Sequence, residues 1–298
     1  MLIDKIRNKE NGIVLYGMVP PKKGTDPQLI HDIARRQIER LQNLNIDGLV
    51  LYDIQDETTR LSTERPFPFI ETIDPALYSR QYLSSLSTPK IIYRSVGKYS
   101  REELSNFLFD ITAEKNLTVF VGPASKNQSV TMTLSDAYLL KNEISPNLLL
   151  GGVVIPERHL TKGDEHIRVC TKIKQGCSFF ISQGVYDVNA SKNFLSDYFY
   201  YCREQLLEPA PIIFTFTPCG SLKTLQFMKW LGISIPKWLE NELIHAKDIL
   251  QQSIDFAEQN WRELSKFAHT YKIPVGCNIE SVAIRRVEIE ASIELLKR

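Results

Sequence analysis

The amino-acid sequence predicts an α/β fold, a single (β/α)8 TIM barrel that forms one domain over residues 1–298. Eight short apolar segments alternate with longer amphipathic segments, a pattern typical of parallel strands connected by helices. No Pro-, Ser- or Gly-rich linker divides the series, and 298 residues is an ordinary length for one barrel. A Rossmann or flavodoxin-like open sheet is the alternative, but no GxGxxG motif follows any apolar segment.

The strands are predicted from short apolar runs that end at polar or turn-forming residues. The fifth run, LLLGGVVI, stops at Pro156, and the first is followed by Pro20 and Pro21. The predicted strands are Ile13–Met18, Gly48–Asp53, Lys90–Arg94, Leu117–Gly122, Leu148–Ile155, Phe179–Ser182, Pro211–Thr217 and Pro274–Ile279.

The helices are predicted from apolar residues spaced three and four apart and from signals at their ends. Ser100 and Glu103 form a capping box at the start of one helix, and Gly176 follows the end of another. The polar connection 54–74 is longer than usual, which favours a functional loop. The predicted helices are Pro27–Leu44, Asp74–Leu86, Ser100–Lys115, Thr131–Glu143, Gly163–Gln175, Asn189–Leu206, Ser221–Trp230, Pro236–Leu243, Ala246–Thr270 and Ala283–Lys297.

Composition argues against several classes of protein. The net charge is +1, with 36 basic and 35 acidic residues spread along the chain, so neither nucleic acid nor an anionic membrane is an expected partner. No apolar run is long enough to span a membrane, and the charged N-terminus does not resemble a signal peptide. The five cysteines are odd in number and lack CxxC pairs, which predicts reduced thiols, a cytoplasmic protein and no metal site. The composition does not determine the oligomeric state, and a homo-oligomer is compatible with it.

Polar side chains follow most of the predicted strands, where the active sites of (β/α)8 barrels lie. They suit a planar, amide-bearing heterocycle such as a pterin, because amide and carboxyl groups can pair with its donor–acceptor edge while aromatic rings stack on its face. The predicted substrate-binding residues are Tyr16, Arg94, Gln183, Tyr186, Asp187, Thr217 and Asn278.

Several of these polar residues also have a purely structural interpretation. Asp187 precedes the helix Asn189–Leu206 and is equally suited to cap it. Asp53 can form a structural ion pair with Arg94 or Arg60. His159 can hydrogen-bond its own loop instead of a ligand.

The stretch Leu148–Asp187 resembles the methylenetetrahydrofolate reductase family. Pro156-Glu157-Arg158-His159 matches the family's Pro-Glu-x-His turn, and Gln183 to Asp187 matches its Gln-x-x-x-Asp strand end. The double proline after the first strand and the segment Ile212–Trp238 also resemble the family. The likeness therefore extends, in patches, from about residue 12 to residue 282.

The resemblance implies a TIM barrel that binds FAD and a reduced folate, either methylene- or methyltetrahydrofolate. In the family, NAD(P)H reduces the flavin, which passes hydride to methylenetetrahydrofolate. Gln183 falls on a folate-binding position, and His159 and Lys172 fall on positions that contact FAD.

The sequence departs from the family at its acidic positions. The catalytic Glu of the first strand is replaced by Gly17, and Gly122 is followed by Pro123 where the family has an Asp near the flavin. The helix after strand five also carries Arg168 and Thr171 at flavin-side positions. Because glycine cannot donate a proton, another carboxyl group would have to serve, and the candidates are Glu157, Asp53 and Glu280.

Two functional hypotheses follow. The first is a methylenetetrahydrofolate reductase-like oxidoreductase of one-carbon metabolism, linked to methionine biosynthesis, with an altered proton donor. The second is a tetrahydrofolate-binding or methyl-transfer protein without redox chemistry, which the loss of the family's carboxylates favours.

Overall fold

The computed structural model of the protein describes residues 1–56, 64–123 and 129–297. Eight strands pair in parallel, each with the next along the chain, and the last pairs with the first to close a barrel. The predicted TIM-barrel fold is confirmed. The strands are β1 (Ile13–Met18), β2 (Gly48–Leu51), β3 (Lys90–Ser95), β4 (Leu117–Val121), β5 (Leu150–Val154), β6 (Cys177–Gly184), β7 (Ile212–Phe216) and β8 (Val275–Glu280).

Helices surround the barrel and connect its strands. They are α1 (Leu2–Arg7), α2 (Pro27–Leu41), α3 (Pro75–Tyr82), α4 (Arg101–Ala113), α5 (Leu134–Ile144), α6 (Pro156–Lys162), α7 (Glu165–Lys174), α8 (Val188–Glu204), α9 (Leu222–Trp230), α10 (Lys237–His245), α11 (Ile249–Thr270) and α12 (Arg286–Leu295), with a 3₁₀ turn at Val96–Lys98. The predicted capping box at the start of α4 is confirmed, because Ser100 and Glu103 each bond the other's backbone N–H.

Helix α1 closes the N-terminal end of the barrel and was not predicted. Leu2 and Ile6 lie one turn apart and are buried in the apolar cluster that fills the barrel interior. A methyl group of Leu2 lies 2.7 Å from where a Cβ on Gly48 would stand, at the start of β2. Because α1 covers this end, the C-terminal end of the strands is where a ligand can enter.

Alternation along the strands separates the interior of the barrel from the layer beneath the helices. Leu15 and Tyr93 belong to the interior cluster, whereas their neighbours Tyr16 and Ile92 belong to the cluster between strands and helices. This alternation decides which side chains at the strand ends face the mouth of the barrel.

The segment after β5 differs from its prediction. The predicted helix Gly163–Gln175 is confirmed as α7, Glu165–Lys174, but the short helix α6 before it, which Pro156 starts, was not predicted. Proline fits the first position of a helix, where the backbone N–H that it lacks has no intrahelical partner. Gly163 ends α6 with a φ of +67°, a left-handed conformation that glycine adopts without steric strain. Glu157 and His159 therefore lie on one short helix.

The cysteines and the helices agree with two of the sequence-based expectations. All five cysteines are buried and unbridged, as predicted for reduced thiols. The Sγ atoms of Cys170 and Cys202 lie 3.6 Å apart between α7 and α8. Among the helices of the described residues, none combines the length and the apolar character needed to cross a membrane.

Candidate functional site

The position of the missing acid, Gly17, faces the mouth of the barrel and is crowded. A Cβ at this residue would lie 2.9 Å from the ring and hydroxyl of Tyr52 and 3.1 Å from Oε2 of Glu280. Glycine is therefore required by close approach of these two side chains. A glutamate introduced at position 17 would have to displace Tyr52. Of the three candidate carboxyl groups, Glu280 is the one that lies next to Gly17, the position of the catalytic Glu in the family that the sequence resembles.

Glu280 belongs to a hydrogen-bonded network that joins β6, β7, β8 and the end of β2. Its carboxylate accepts a hydrogen bond from the hydroxyl of Tyr52 and is also stabilised by the neighbouring amide of Asn278. The Nδ2 of Asn278 also donates to the hydroxyl of Tyr52 (2.9 Å) and to Oγ1 of Thr215 (3.1 Å). Thr215 in turn donates to the backbone carbonyl of Ser182 (2.7 Å). The network fixes the orientation of Glu280, as an acid–base group requires.

The ionisation of Glu280 and Tyr52 follows from their burial. Burial raises the pKa of Glu280, and the bonds from Tyr52 and Asn278 oppose this rise only in part. Burial and the charge of Glu280 raise the pKa of Tyr52 well above its usual value. Tyr52 therefore stays protonated at neutral pH and donates to the carboxylate. Tyr93 packs against it edge to face, with ring centroids 4.7 Å apart, and supplies a second aromatic ring to the mouth.

Gln183 lies near the end of β6, as predicted. Its Nε2 donates to the backbone carbonyl of Leu231 (2.9 Å), just beyond α9. This bond fixes the plane of the amide, and Oε1 is then the atom that remains to accept a ligand N–H. The side chain is partly exposed, so a ligand can reach it.

Glu157 is a buried carboxyl group at the junction of β5 and β6. Burial, together with the negative charge of Asp187, raises its pKa to about 8 although backbone N–H groups of Tyr186 and Asp187 oppose this. Its Oε1 is buried without a partner among the described residues. At neutral pH the group is mostly protonated and can donate a hydrogen bond, the property of a general acid.

Asp53 is held in a structural arrangement. Its carboxylate forms an ion pair with Lys98 (2.6 Å) and accepts hydrogen bonds from the backbone N–H of Ser95 (2.8 Å) and the hydroxyl of Tyr99 (3.0 Å). Among the described residues its ion-pair partner is thus Lys98 and not Arg94, which pairs with Asp74. The alternative partner Arg60 lies outside the described residues.

Two predicted ligand contacts, Tyr16 and Arg94, are not brought to the mouth. The hydroxyl of Tyr16 lies 3.2 Å from Oγ of Ser292 on α12, behind the barrel wall. Arg94 is buried beneath the helices, where it forms an ion pair with Asp74. Both residues neighbour interior-facing positions in their strands and therefore point outward.

Three further predicted contacts have protein partners near the ends of β6 and β7. Asp187 accepts a hydrogen bond from the backbone N–H of Ala190 (3.0 Å), which confirms the capping interpretation. The buried hydroxyl of Tyr186 donates to the backbone carbonyl of Thr217 (2.6 Å). Oγ1 of Thr217 accepts from the backbone N–H of Val282 (3.4 Å). Tyr186 and Thr217 thus join the loops that follow β6, β7 and β8.

His159 and Lys172 do not fit FAD in the way that the resemblance implies. The Nε2 of His159 lies 2.9 Å from Oδ2 of Asp197, on the helical layer. Nζ of Lys172 donates to the backbone carbonyl of Val153 (2.6 Å), and burial lowers the pKa of this amine. The Nε2 of His159 and the amine of Lys172 are both engaged within the protein, so we assign no flavin chemistry to these groups.

Tyr93, His166 and Asp197 were not predicted as functional residues. Their surroundings depend on residues that are far away in the sequence. Arg94 was predicted as a ligand contact and Tyr93 was not. Ile91 is an interior position of β3, so alternation along the strand places Tyr93 inside the barrel. His166 and Asp197 lie close to His159 in the structure. No sequence motif predicts this cluster, and its one local signal is the seven-residue spacing of the two histidines. Neither the cysteine spacing nor the polar residues at the strand ends predicts a metal site, and His166 and Asp197 belong to neither set.

The fold is a TIM barrel with polar groups gathered at the C-terminal ends of its strands, which is where barrels of this class bind their ligands. The chain is 51% identical to an uncharacterized protein from Clostridium thermocellum that binds two copies of 5-methyl-5,6,7,8-tetrahydrofolic acid. The match covers 99% of this chain and 97% of that chain, with a TM-score of 0.89. The chain belongs to the family of this protein.

A more distant likeness shows the fold alone. Dihydropteroate synthase from Xanthomonas albilineans is 6% identical, with a TM-score of 0.50 over 97% of this chain and 92% of that chain. No protein-family model and no curated protein matches the chain.

Proposed function

We propose that this protein binds a reduced folate, 5-methyltetrahydrofolate, at the C-terminal mouth of its barrel, and that it stores or transfers the methyl group without redox chemistry. The observation that carries the proposal is the 51% identity, over nearly the whole chain, with a protein that binds this folate. Such identity makes a shared ligand the simplest expectation.

The groups at the mouth suit a reduced pterin. The ring presents N–H donors and a carbonyl acceptor along one edge, and a carboxylate or an amide can pair with that edge. Glu280 supplies a carboxylate held by Tyr52 and Asn278, and Gln183 supplies an amide fixed by Leu231. Tyr52 and Tyr93 offer aromatic surface for stacking.

Gln183→Ala is expected to weaken the binding of 5-methyltetrahydrofolate by roughly 1–3 kcal/mol, because ligand groups buried in the complex would lose their partner. Isothermal titration calorimetry on wild type and variant measures the difference. Gln259→Ala is the matched control, since Gln259 lies exposed on α11. Equal affinities for all three proteins would remove Gln183 from the site, and an absence of binding by wild type would refute the proposed function.

A methylenetetrahydrofolate reductase is the second candidate function, and the position of Glu280 favours it. Reduction needs a proton for a folate nitrogen and a hydride for the one-carbon unit, and NAD(P)H is the hydride donor named by the resemblance. Oε2 of Glu280 lies 3.1 Å from the Cβ position of Gly17, where the resembled family places its acid. Glu280 can therefore supply the proton from a different strand.

If the protein is a reductase, Glu280→Gln is expected to lower turnover of methylenetetrahydrofolate by about 10²–10⁴-fold, the usual contribution of positioned acid catalysis. NAD(P)H oxidation is followed with and without added FAD. Glu157→Gln tests, in the same assay, the carboxyl group whose pKa of about 8 keeps it mostly protonated at neutral pH. Unchanged turnover in Glu280→Gln would exclude Glu280 as the acid. If wild type binds folate but does not turn it over, the reductase function is excluded and the non-redox function is supported.

A further inference from the structure

Two histidines and an aspartate converge on the outer helices, away from the network around Glu280. His159 lies on α6, His166 on α7 and Asp197 on α8. One potential ligand atom from each residue lies within 4.8 Å of those from the other two. The imidazole rings of His159 and His166 meet edge to face, with centroids 5.1 Å apart.

The bonding of the two histidines within the protein is incomplete. His159 is only 7% exposed, yet its Nδ1 has no hydrogen-bond partner among the described residues. The Nδ1 of His166 is likewise buried without a partner in the described part of the chain. A buried imidazole normally satisfies both nitrogens, so each ring has a nitrogen that a ligand or a small rotation could use.

The electrostatic surroundings favour a cation. Asp197, Asp164 and Glu204 all act on His166 with negative charge, while Arg168 is paired with Asp164.

We propose that His159, His166 and Asp197 bind one divalent transition-metal ion, with Zn²⁺ as the best fit. Two imidazoles and a carboxylate are a ligand set found in zinc proteins, with a fourth position left for water or another ligand. A tetrahedral ion with bonds of about 2.0–2.1 Å spaces its ligand atoms by about 3.3 Å. His159 and Asp197 already approach this spacing at 2.9 Å. Asp197, whose side chain is 56% exposed, has the freedom to complete the geometry.

The ion would connect three helices at the rim of the barrel. Helix α6 is short, and its two ends are joined to β5 and to the left-handed Gly163. A metal bound by His159 would hold α6 against α7 and α8. The same helix carries Glu157, so the ion would also stabilise the position of that buried carboxyl group. This site does not depend on the proposed folate ligand.

The test is titration of chelator-treated full-length protein with ZnCl₂ by calorimetry at neutral pH, followed by CoCl₂ and an absorption spectrum. Wild type is expected to bind one Zn²⁺ per chain and to give the intense visible bands of four-coordinate Co²⁺. His166→Asn is expected to lower the affinity by more than the roughly 10–100-fold that loss of an outer-shell partner costs. Asp197→Asn should also lower the affinity. Because the side chain of Asp197 is exposed, this substitution should not disturb folding.

His245→Asn is the matched control, because His245 is exposed on α10 and distant in sequence from the three ligands. It should leave affinity and spectrum unchanged. Circular dichroism confirms that each variant is folded. The proposal is overturned if wild type shows no saturable binding of one ion per chain. It is equally overturned if folded His166→Asn and Asp197→Asn bind as tightly as wild type, or if His245→Asn loses as much affinity as they do.

Discussion

Asp74→Ala is expected to lower the free energy of unfolding by about 4–5 kcal/mol in total. The substitution leaves the guanidinium of Arg94, which is 5% exposed, without its ion-pair partner beneath α3 and α4. Removing one partner of a buried pair usually costs about 3–5 kcal/mol, and the lower part of this range applies because the side chain of Asp74 is 35% exposed. Loss of the N-cap of α3 adds about 1 kcal/mol.

The chain offers two controls that separate these effects. Asp26 caps α2 before Pro27 just as Asp74 caps α3 before Pro75, but Asp26 has exposed surroundings. Asp26→Ala should therefore cost only about 1 kcal/mol. Asp74→Asn keeps a capping oxygen and removes the charge, so it should cost most of what Asp74→Ala does. Guanidinium-induced unfolding measures all three, and equal losses for Asp26→Ala and Asp74→Ala would show that the ion pair contributes nothing.

The barrel could be predicted because its signals are local. Apolar runs that end at polar or turn residues predict strands, and helix ends such as Ser100 with Glu103 are fixed by neighbours three residues apart. Helix α1 was missed because its six residues are too few to show a periodic pattern, although Leu2, Ile3 and Ile6 pack against the interior cluster. The start of α6 was missed because Pro156 both ends a strand and begins a helix.

The site could be predicted only in part. The end of a strand is recognised from neighbouring residues, but the contacts of a side chain there depend on residues elsewhere in the chain. Gln183, Asn278 and Glu280 were predicted from their positions at strand ends, and they lie at the mouth. Tyr16 and Arg94 were predicted by the same reasoning, but alternation turns them outward. Their direction could have been derived from the neighbouring apolar residues.

Partners far apart in sequence could not be derived in this way. Asp53 and Lys98 pair across 45 residues, and Asn278 and Tyr52 bond across 226. The first pair follows from the pairing of β2 with β3, and the second follows from closure of the barrel, which brings β8 beside β1 and places the end of β2 across the same mouth. The proximity of Glu280 to Gly17 is a consequence of this closure and of nothing local to either residue.

Glu157→Gln is expected to remove a large dependence of stability on pH. The pKa of Glu157 is raised from 4.5 to about 8, chiefly by burial. A carboxyl group whose folded-state pKa is raised contributes its full stability below the unfolded-state pKa and loses it as pH rises through the folded-state pKa. Between these values the folded protein binds one more proton than the unfolded chain, so the free energy of unfolding falls by about 1.4 kcal/mol per pH unit.

The amide that Glu157→Gln introduces cannot ionise, and its oxygen can still accept the backbone N–H groups of Tyr186 and Asp187. The difference in unfolding free energy between variant and wild type should therefore rise between about pH 5 and pH 8 and level off above it. Urea denaturation over this range measures it. Glu242→Gln, exposed on α10, is the control and should show a flat difference. If the difference in unfolding free energy between Glu157→Gln and wild type does not change with pH, Glu157 is ionised in the folded protein at neutral pH. Glu157 could then not act as a neutral hydrogen-bond donor at the barrel mouth.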